Sequence, residues 1–251
     1  MRLRLDFTAS VAKDPNRPDL NEDAFQLDSH GHVFALSDGA SESYDSKSWA
    51  KMLVNKYIEN QNFDYEWVEQ TQRDYVSTVD FQSLSWSKQL AFDRGSFATL
   101  LGMSTIDCTC RIFSIGDCLA AYSKNGKFYD SFPFKHPADF DARPQLLSTV
   151  NHLNEFTHNN FFNLDDHQAE WMLEEGDVIF LMTDALGQWF LREADKVENN
   201  SIKTLSAIST QDEFQYLILS LRTDRRIKLD DSTVLRFVVD TSEDNDGISN
   251  H

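Results

Sequence analysis

Six acidic residues stand where a strand begins or ends. Asp38, Asp117 and Asp184 each close an apolar run: Val33-Phe34-Ala35-Leu36-Ser37, Arg111 to Ile115 with Gly116, and Val178-Ile179-Phe180-Leu181-Met182-Thr183. Glu22, Asp23 and Asp230 each precede one. In an antiparallel sheet, strand ends and strand starts meet at the same edge. The six acids are therefore expected at one end of a sheet. Left unpaired, such a cluster repels itself and raises its own pKa values. Two hard cations such as Mg²⁺ or Mn²⁺, which prefer oxygen ligands, would offset that repulsion. Two such ions roughly 3.5–4 Å apart form the usual two-metal hydrolytic site, where a bridging water becomes hydroxide near neutral pH and attacks phosphorus in line.

The competing reading of each acid is a turn residue or a solvated strand end, since Asp-Gly is a common turn pair. With 41 acids in 251 residues, one acid after an apolar run is often chance, and only several in matching contexts carry weight. Asp177, in Glu175-Gly176-Asp177, keeps the turn reading.

The elements that must position these acids follow from periodicity. Ala24 to Leu27 and Val33 to Ser37 read as strands joined by Asp28-Ser29-His30-Gly31, a hairpin that brings Glu22 and Asp23 beside Asp38. Gly39 lets the backbone turn tightly against whatever Asp38 holds. A first strand spans Arg2 to Ala12. Trp49, Met52, Leu53, Tyr57 and Ile58 recur at helical spacing between Ser43 and Asn60, and a less regular helical stretch runs from Asp64 to Ala91. Gly95 to Met103 reads as β-structure, then Arg111 to Ile115, Leu119 to Ser123, and Lys127-Phe128-Tyr129 after an Asn125-Gly126 turn. Phe132 to Asp166, with Pro133, Pro137 and Pro144, reads as a long excursion of the kind that forms a lid, a binding loop or a disordered segment. Its histidines, His152 and His158, and the adjoining His167 lack the spacing of a zinc site. Helical segments at Leu186–Ala194, Ser201–Ile208 and Asp212–Arg222 precede a last strand, Asp230 to Val239, with acids at its entrance. One domain over 1–240 is expected, with a polar acidic tail over 241–251.

A formal charge of −18 argues against a nucleic-acid backbone or an anionic membrane as partner. No apolar run approaches the roughly 20 residues that span a bilayer. The first residues, Met1-Arg2-Leu3-Arg4-Leu5-Asp6, alternate like a strand and lack a signal peptide's apolar core. Cys108, Cys110 and Cys118 are odd in number and crowded, which speaks against a disulfide framework. The expected location is the cytoplasm.

Taken in order, Asn21-Glu22-Asp23-Ala24, Leu36-Ser37-Asp38-Gly39, Ser96-Phe97-Ala98-Thr99, Ile115-Gly116-Asp117, Gly176-Asp177-Val178 through Thr183-Asp184, and Asp230-Asp231-Ser232-Thr233-Val234 span nearly the whole chain. In this the sequence resembles the metal-dependent serine/threonine protein phosphatases of type 2C, in their bacterial single-domain form. The resemblance implies an α+β fold, a four-layer αββα sandwich of two antiparallel sheets packed face to face with helix pairs outside. It implies that Asp38 bridges two Mn²⁺ or Mg²⁺ ions, that Glu22 and the Gly39 carbonyl join the second ion, and that Asp184 and Asp230 join the first. Asp23 would hold metal-bound water, and Asp117 with Asp184 would hold the weaker third ion of some members.

The sequence departs from the family at several places. Ala185 follows Asp184 in place of glycine, Cys118-Leu119 follows Asp117 in place of Ser-Arg, Asp231 replaces the usual Asn, and Ala40-Ser41-Glu42 replaces a glycine-rich run. None removes a proposed carboxylate. The family's phosphate-binding arginine has only Arg17 as a counterpart, one position out of register, with a solvated loop cation as its other reading. No general acid is visible beside Asp38, so leaving-group protonation would fall to a metal-bound water. The expected activity is hydrolysis of phosphoserine and phosphothreonine in a protein substrate, with a cognate serine/threonine kinase or its targets as partner. Two other classes stay open: a non-catalytic binding module that keeps the fold, and a metal-dependent hydrolase of a small phosphoester.

Overall fold

Runs such as Val178–Met182 are apolar at consecutive positions, a pattern a strand carries when both its faces are covered. The computed structural model describes residues 2–41, 43–157, 163–194, 196 and 200–240 and shows what covers them. One sheet has the order β1 (Arg2–Val11), β12 (Ser232–Asp240), β11 (Val178–Met182), β7 (Leu119–Lys124), β8 (Lys127–Phe132). The other has the order β10 (Gln168–Met172), β6 (Thr109–Ile115), β5 (Leu100–Ile106), β3 (Val33–Ser37), β2 (Ala24–Leu27). All the strand pairs are antiparallel.

The period of two along each strand divides its side chains between layers. Ile179 and Leu181 of β11 meet Phe34 and Leu36 of β3 between the sheets, where Phe34 and Phe237 pack edge to face at 4.4 Å. Phe180 and Met182 point the other way, onto Leu186, Trp189 and Phe214 of α4 (Asp184–Glu193) and α6 (Gln211–Thr223). The short helix α5 (Ser201–Ala207) adds Ile202 and Leu205 to that outer core. Across the sandwich, Ala35, Leu100 and Phe113 pack on Trp49, Leu53 and Val68 of α1 (Ser46–Glu59) and α2 (Tyr65–Ser77). The fold is thus an αββα sandwich. Local signals start the helices: Asp45 accepts the Ser48 amide (3.2 Å), Asp64 the Trp67 amide (2.7 Å), and Thr210 the Glu213 amide (3.2 Å).

Four places differ from the sequence expectation. The stretch from Gly95 to Met103 is broken at Thr99 into β4 (Phe97–Ala98) and β5, because Thr99 bonds the Asp38 backbone. The helical stretch after Asp64 is α2, a 3₁₀ turn at Phe81–Ser83, and α3 (Trp86–Arg94). Strand β10 was not expected, and its exposed alternation at the sheet edge explains why. In the long excursion, 3₁₀ turns at Pro137–Asp141 and Asn151–Thr157 flank β9 (Leu147–Ser148), which pairs with β4. Trp49 Nε1 holds the Leu147 carbonyl (2.9 Å) and Gln72 the Ser148 carbonyl (2.9 Å), so this part is anchored on the α1–α2 layer. The expected tail over 241–251, Glu42 and His158 lie outside the described residues. Among the described residues no helix is long and apolar enough to cross a membrane.

Gly102 of β5 faces the α1 layer, and a Cβ there would lie 2.1 Å from Cζ of Tyr57, whose ring stacks on Phe113 at 5.9 Å. Gly102→Ala is expected to cost about 1–3 kcal/mol through overpacking. The check is the urea midpoint at unchanged slope. A loss within error would mean the Tyr57 ring moves aside freely.

Candidate metal centre

The strand ends converge on a small cavity of about 150 Å³ whose lining includes Asp38, Gly39, Thr99, Asp117, Asp184 and Asp230. Each acid arrives from a different element. Asp38 follows β3, Asp117 occupies the turn from β6 to β7, Asp184 opens α4, and Asp230 leads into β12. Pro144 and Leu146 of the anchored excursion close one side.

Asp38 is fixed by its backbone, leaving its carboxylate unengaged by that scaffold. Its amide donates to Thr99 Oγ1 (2.8 Å), and its carbonyl accepts the Thr99 amide (2.9 Å). Gly39 is required by space: a Cβ would lie 2.9 Å from Cβ of Ser46 and 3.0 Å from the Glu22 carbonyl oxygen. That contact places Glu22 next to Gly39, with the Glu22 carboxylate accepting the Ser46 hydroxyl. Glu22 itself is not among the residues lining the cavity.

Asp23 lies under the cluster. Its Oδ2 accepts the hydroxyls of Thr233 (2.6 Å) and Thr183 (3.3 Å), while its Oδ1 is buried without a hydrogen-bond partner among the described residues. Asp231 appears in the sequence only as a departure from a family pattern. In the structure its two carboxylate oxygens accept the amides of Lys13 (2.6 Å) and Glu22 (2.7 Å), clamping the 13–22 loop to the entrance of β12. The doubled acid Asp230-Asp231 was the one hint of this, and nothing in it distinguished the two roles. Arg17 is exposed, and Asp19 engages its guanidinium fork at 3.2 and 3.0 Å. It is not among the cavity's lining residues.

The electrostatics follow from crowding. Burial, then the charges of Asp23, Asp184, Asp117 and Asp230, drives the Asp38 carboxyl well above the usual carboxylate range. Burial also raises Asp23 well above it, with Asp231 and Asp184 adding to the rise. Asp117 is pushed up to about 6, by burial first and Asp184 second. Asp184 is raised by burial and by Asp230, against the pull of Lys228, whose Nζ lies 3.9 Å away. Lys13 lies 3.8 Å from Asp230. Neither lysine is among the residues that line the cavity.

The donors suit hard divalent cations. They are all oxygen, they repel one another, and Asp23 Oδ1 is a buried acceptor lacking a donor among the described residues. The neighbouring thiol of Cys118 bonds Thr99 (3.1 Å) and burial pushes its pKa up, so it offers no thiolate. Among the described residues the acids ring the cavity, and no three of them already close on a single point. Asp38, Asp117, Asp184, Asp230 and the Gly39 backbone could hold cations there, with Asp23 beneath.

No protein-family model matches the sequence, and no curated protein matches it. Solved structures do. The catalytic domain of the serine threonine protein phosphatase PstP, in complex with 2 manganese ions, is 14% identical with a TM-score of 0.58, over 95% of this chain and 98% of that one. The photosystem II phosphatase PBCP is 19% identical with a TM-score of 0.54, over 96% and 100%. PppA, a regulatory component of T6SS in Pseudomonas aeruginosa, is 17% identical with a TM-score of 0.53, over 95% and 98%. The chain has the type 2C phosphatase fold. The likeness establishes the fold, and the chemistry rests on the residues of the site.

Raised carboxyl pKa values have a definite sign in stability. A carboxyl whose folded pKa exceeds its unfolded one binds more protons when folded, so it favours folding at low pH and loses that contribution as pH rises. The window opens near the ordinary Asp value of 3.8 and reaches about 6 for Asp117, while Asp38 and Asp23, both raised well above that ordinary value, have the same sign. With EDTA present, Asp38→Asn is expected to flatten the fall in Tm between pH 5 and pH 8. It should raise Tm at pH 8 by a few degrees, since 1 kcal/mol is about 2–4 °C in a chain this size. Thermal melts of wild type and variant at both pH values check this, and parallel curves would refute it.

Proposed function

We propose that this chain is a metal-dependent serine/threonine protein phosphatase, a phosphoric monoester hydrolase. The observation that carries the reading is the ring of four carboxylates, Asp38, Asp117, Asp184 and Asp230, around one cavity at the strand ends of a type 2C phosphatase fold. The manganese complex of PstP, similar in fold, supports two Mn²⁺ or Mg²⁺ ions as the cofactor. Two divalent cations held there would supply a Lewis acid for the phosphoryl oxygens and an activated water as nucleophile.

The chain's own part is to place and tune. Asp38 would serve both ions. Asp184 and Asp230 come from one sheet's edge, and Glu22 with the Gly39 carbonyl comes from the other. Asp117 with Asp184 would hold a weaker third ion. Asp23 Oδ1 is a waiting acceptor for a water's proton, held in place through Oδ2 by Thr183 and Thr233. Pro144 and Leu146 limit water on one side, which strengthens charge interactions inside. Asp19 must release Arg17 before that side chain can reach a phosphate. The substrate is then a phosphorylated protein, with a kinase of serine and threonine as the counterpart.

Phosphate release from a phosphothreonine peptide tests the reading. Wild type with Mn²⁺ is expected to turn over, and both EDTA and Asp38→Asn should bring the rate to background. Asp23→Asn should lose about 10–100-fold, the usual cost of removing a group that orients metal ligands. No release by folded wild type with either Mn²⁺ or Mg²⁺ would sink the phosphatase reading.

A further inference from the structure

A second concavity of about 750 Å³ opens beside the acidic one, and Ser41 lines both. Its walls come from the loop before α1, from β4 and from α3. Lys88 and Arg94 line it, both exposed and neither ion-paired with a described residue. In contrast, Arg17, Lys56, Arg111 and Lys124 each hold an acid. Asp45 also lines the groove, and its carboxylate is committed to capping α1 through the Ser48 amide (3.2 Å). Among the described lining residues the two cations outnumber that one acid, on a chain of charge −18.

The walls are preorganised. The Phe97 amide donates to Ser43 Oγ (3.2 Å), the Ala40 amide to the Phe97 carbonyl (2.9 Å), and the Asp45 amide to Ser96 Oγ (3.1 Å). Helix α3 has no fully buried residue. It is held by Phe92, whose ring meets Tyr44 and Phe81 at 5.4 Å each, and by Gln89, which donates to the carbonyls of Phe81 and Leu84 at 3.2 Å. On its outer side Trp86 is 75% exposed and Leu90, one turn on, 44% exposed. Two exposed cations without an acidic partner among the described residues suit an acidic polypeptide.

We infer that this groove receives the polypeptide around the phosphorylated residue, with Lys88 and Arg94 pairing acidic side chains of the substrate. The inference rests on the phosphatase reading and names its substrate class: phosphoproteins acidic around the target residue. The continuity at Ser41 lets one extended segment lie in the groove while its phosphoryl group enters the carboxylate cavity.

Steady-state kinetics with Mn²⁺ on three substrates test it: an acidic-flanked phosphothreonine peptide, a basic-flanked one, and p-nitrophenyl phosphate. The Lys88→Glu/Arg94→Glu double variant should lose at least about tenfold in kcat/KM on the acidic peptide, through KM, and reverse the peptide preference, while p-nitrophenyl phosphate stays within about twofold. An unchanged preference, or equal loss on all three substrates, overturns the groove. If wild type hydrolyses none of them, the phosphatase reading fails separately. The groove is then decided by fluorescence anisotropy with the labelled acidic peptide. Binding weakened at least about tenfold in the double variant sustains it. Equal binding by both proteins, or none by wild type, overturns it.

Discussion

The mutual repulsion of carboxylates at the strand ends is the constraint on which the rest of this structure turns. Asp38, Asp117, Asp184 and Asp230 share a cavity of about 150 Å³, and burial with mutual repulsion raises the pKa of Asp38, Asp117 and Asp184. A cluster of this kind persists only if its backbone is over-determined elsewhere. The two sheets provide that. Each acid is joined to a strand or helix whose other side chains are locked into one of three apolar layers. The cost of crowding the acids is thus borne by burial of residues such as Phe34, Phe180 and Trp49, each worth roughly 1.5–3 kcal/mol.

Hydrogen bonds from outside the acids then set their positions. The Thr99 hydroxyl bonds the Asp38 amide and the Cys118 thiol and its backbone amide donates to the Asp38 carbonyl, so β4, β5 and the cavity meet at one residue. Asp231 plays a similar part for Glu22, and Thr183 and Thr233 for Asp23. The two lysines near the cluster, Lys13 and Lys228, approach one acid each at close to 4 Å. At that range and partial exposure they soften the repulsion without removing it, which is consistent with Asp184 remaining raised despite Lys228.

Much of this was legible in the sequence, because strand ends can be found from apolar runs and antiparallel pairing then dictates which ends meet. The hairpin of β2 and β3 and the acids at its mouth followed from that rule alone. Other features were not legible, for physical reasons. Thr99 bonds a residue 61 positions away, and no local pattern marks such a contact. Strand β10 is an edge strand with only Trp171 fully buried, so its alternation is faint. The excursion's proline-rich composition hides that Leu147 and Ser148 pair with Phe97 and Ala98. Arg17 has the right residue type for phosphate, and the sequence did not show that Asp19, two positions on, engages its guanidinium fork.

Net charge and local charge lead to different conclusions here, and the difference bears on how an anionic chain could admit an anionic substrate. At physiological ionic strength the field of distant charges is screened within about 8 Å. The −18 total therefore governs non-specific partners, while a docked segment feels what lies within a side chain's reach. At the carboxylate cavity that neighbourhood would be repulsive without bound cations, while at the adjoining groove Lys88 and Arg94 stand against Asp45 alone among the described lining residues. A phosphorylated segment would thus meet the groove independently of metal, whereas entry of the phosphoryl group would depend on it. Binding and chemistry would then respond differently to metal removal, because they draw on charges from different elements: α3 for the groove, and the ends of β3, β6 and β11 with the start of β12 for the cavity.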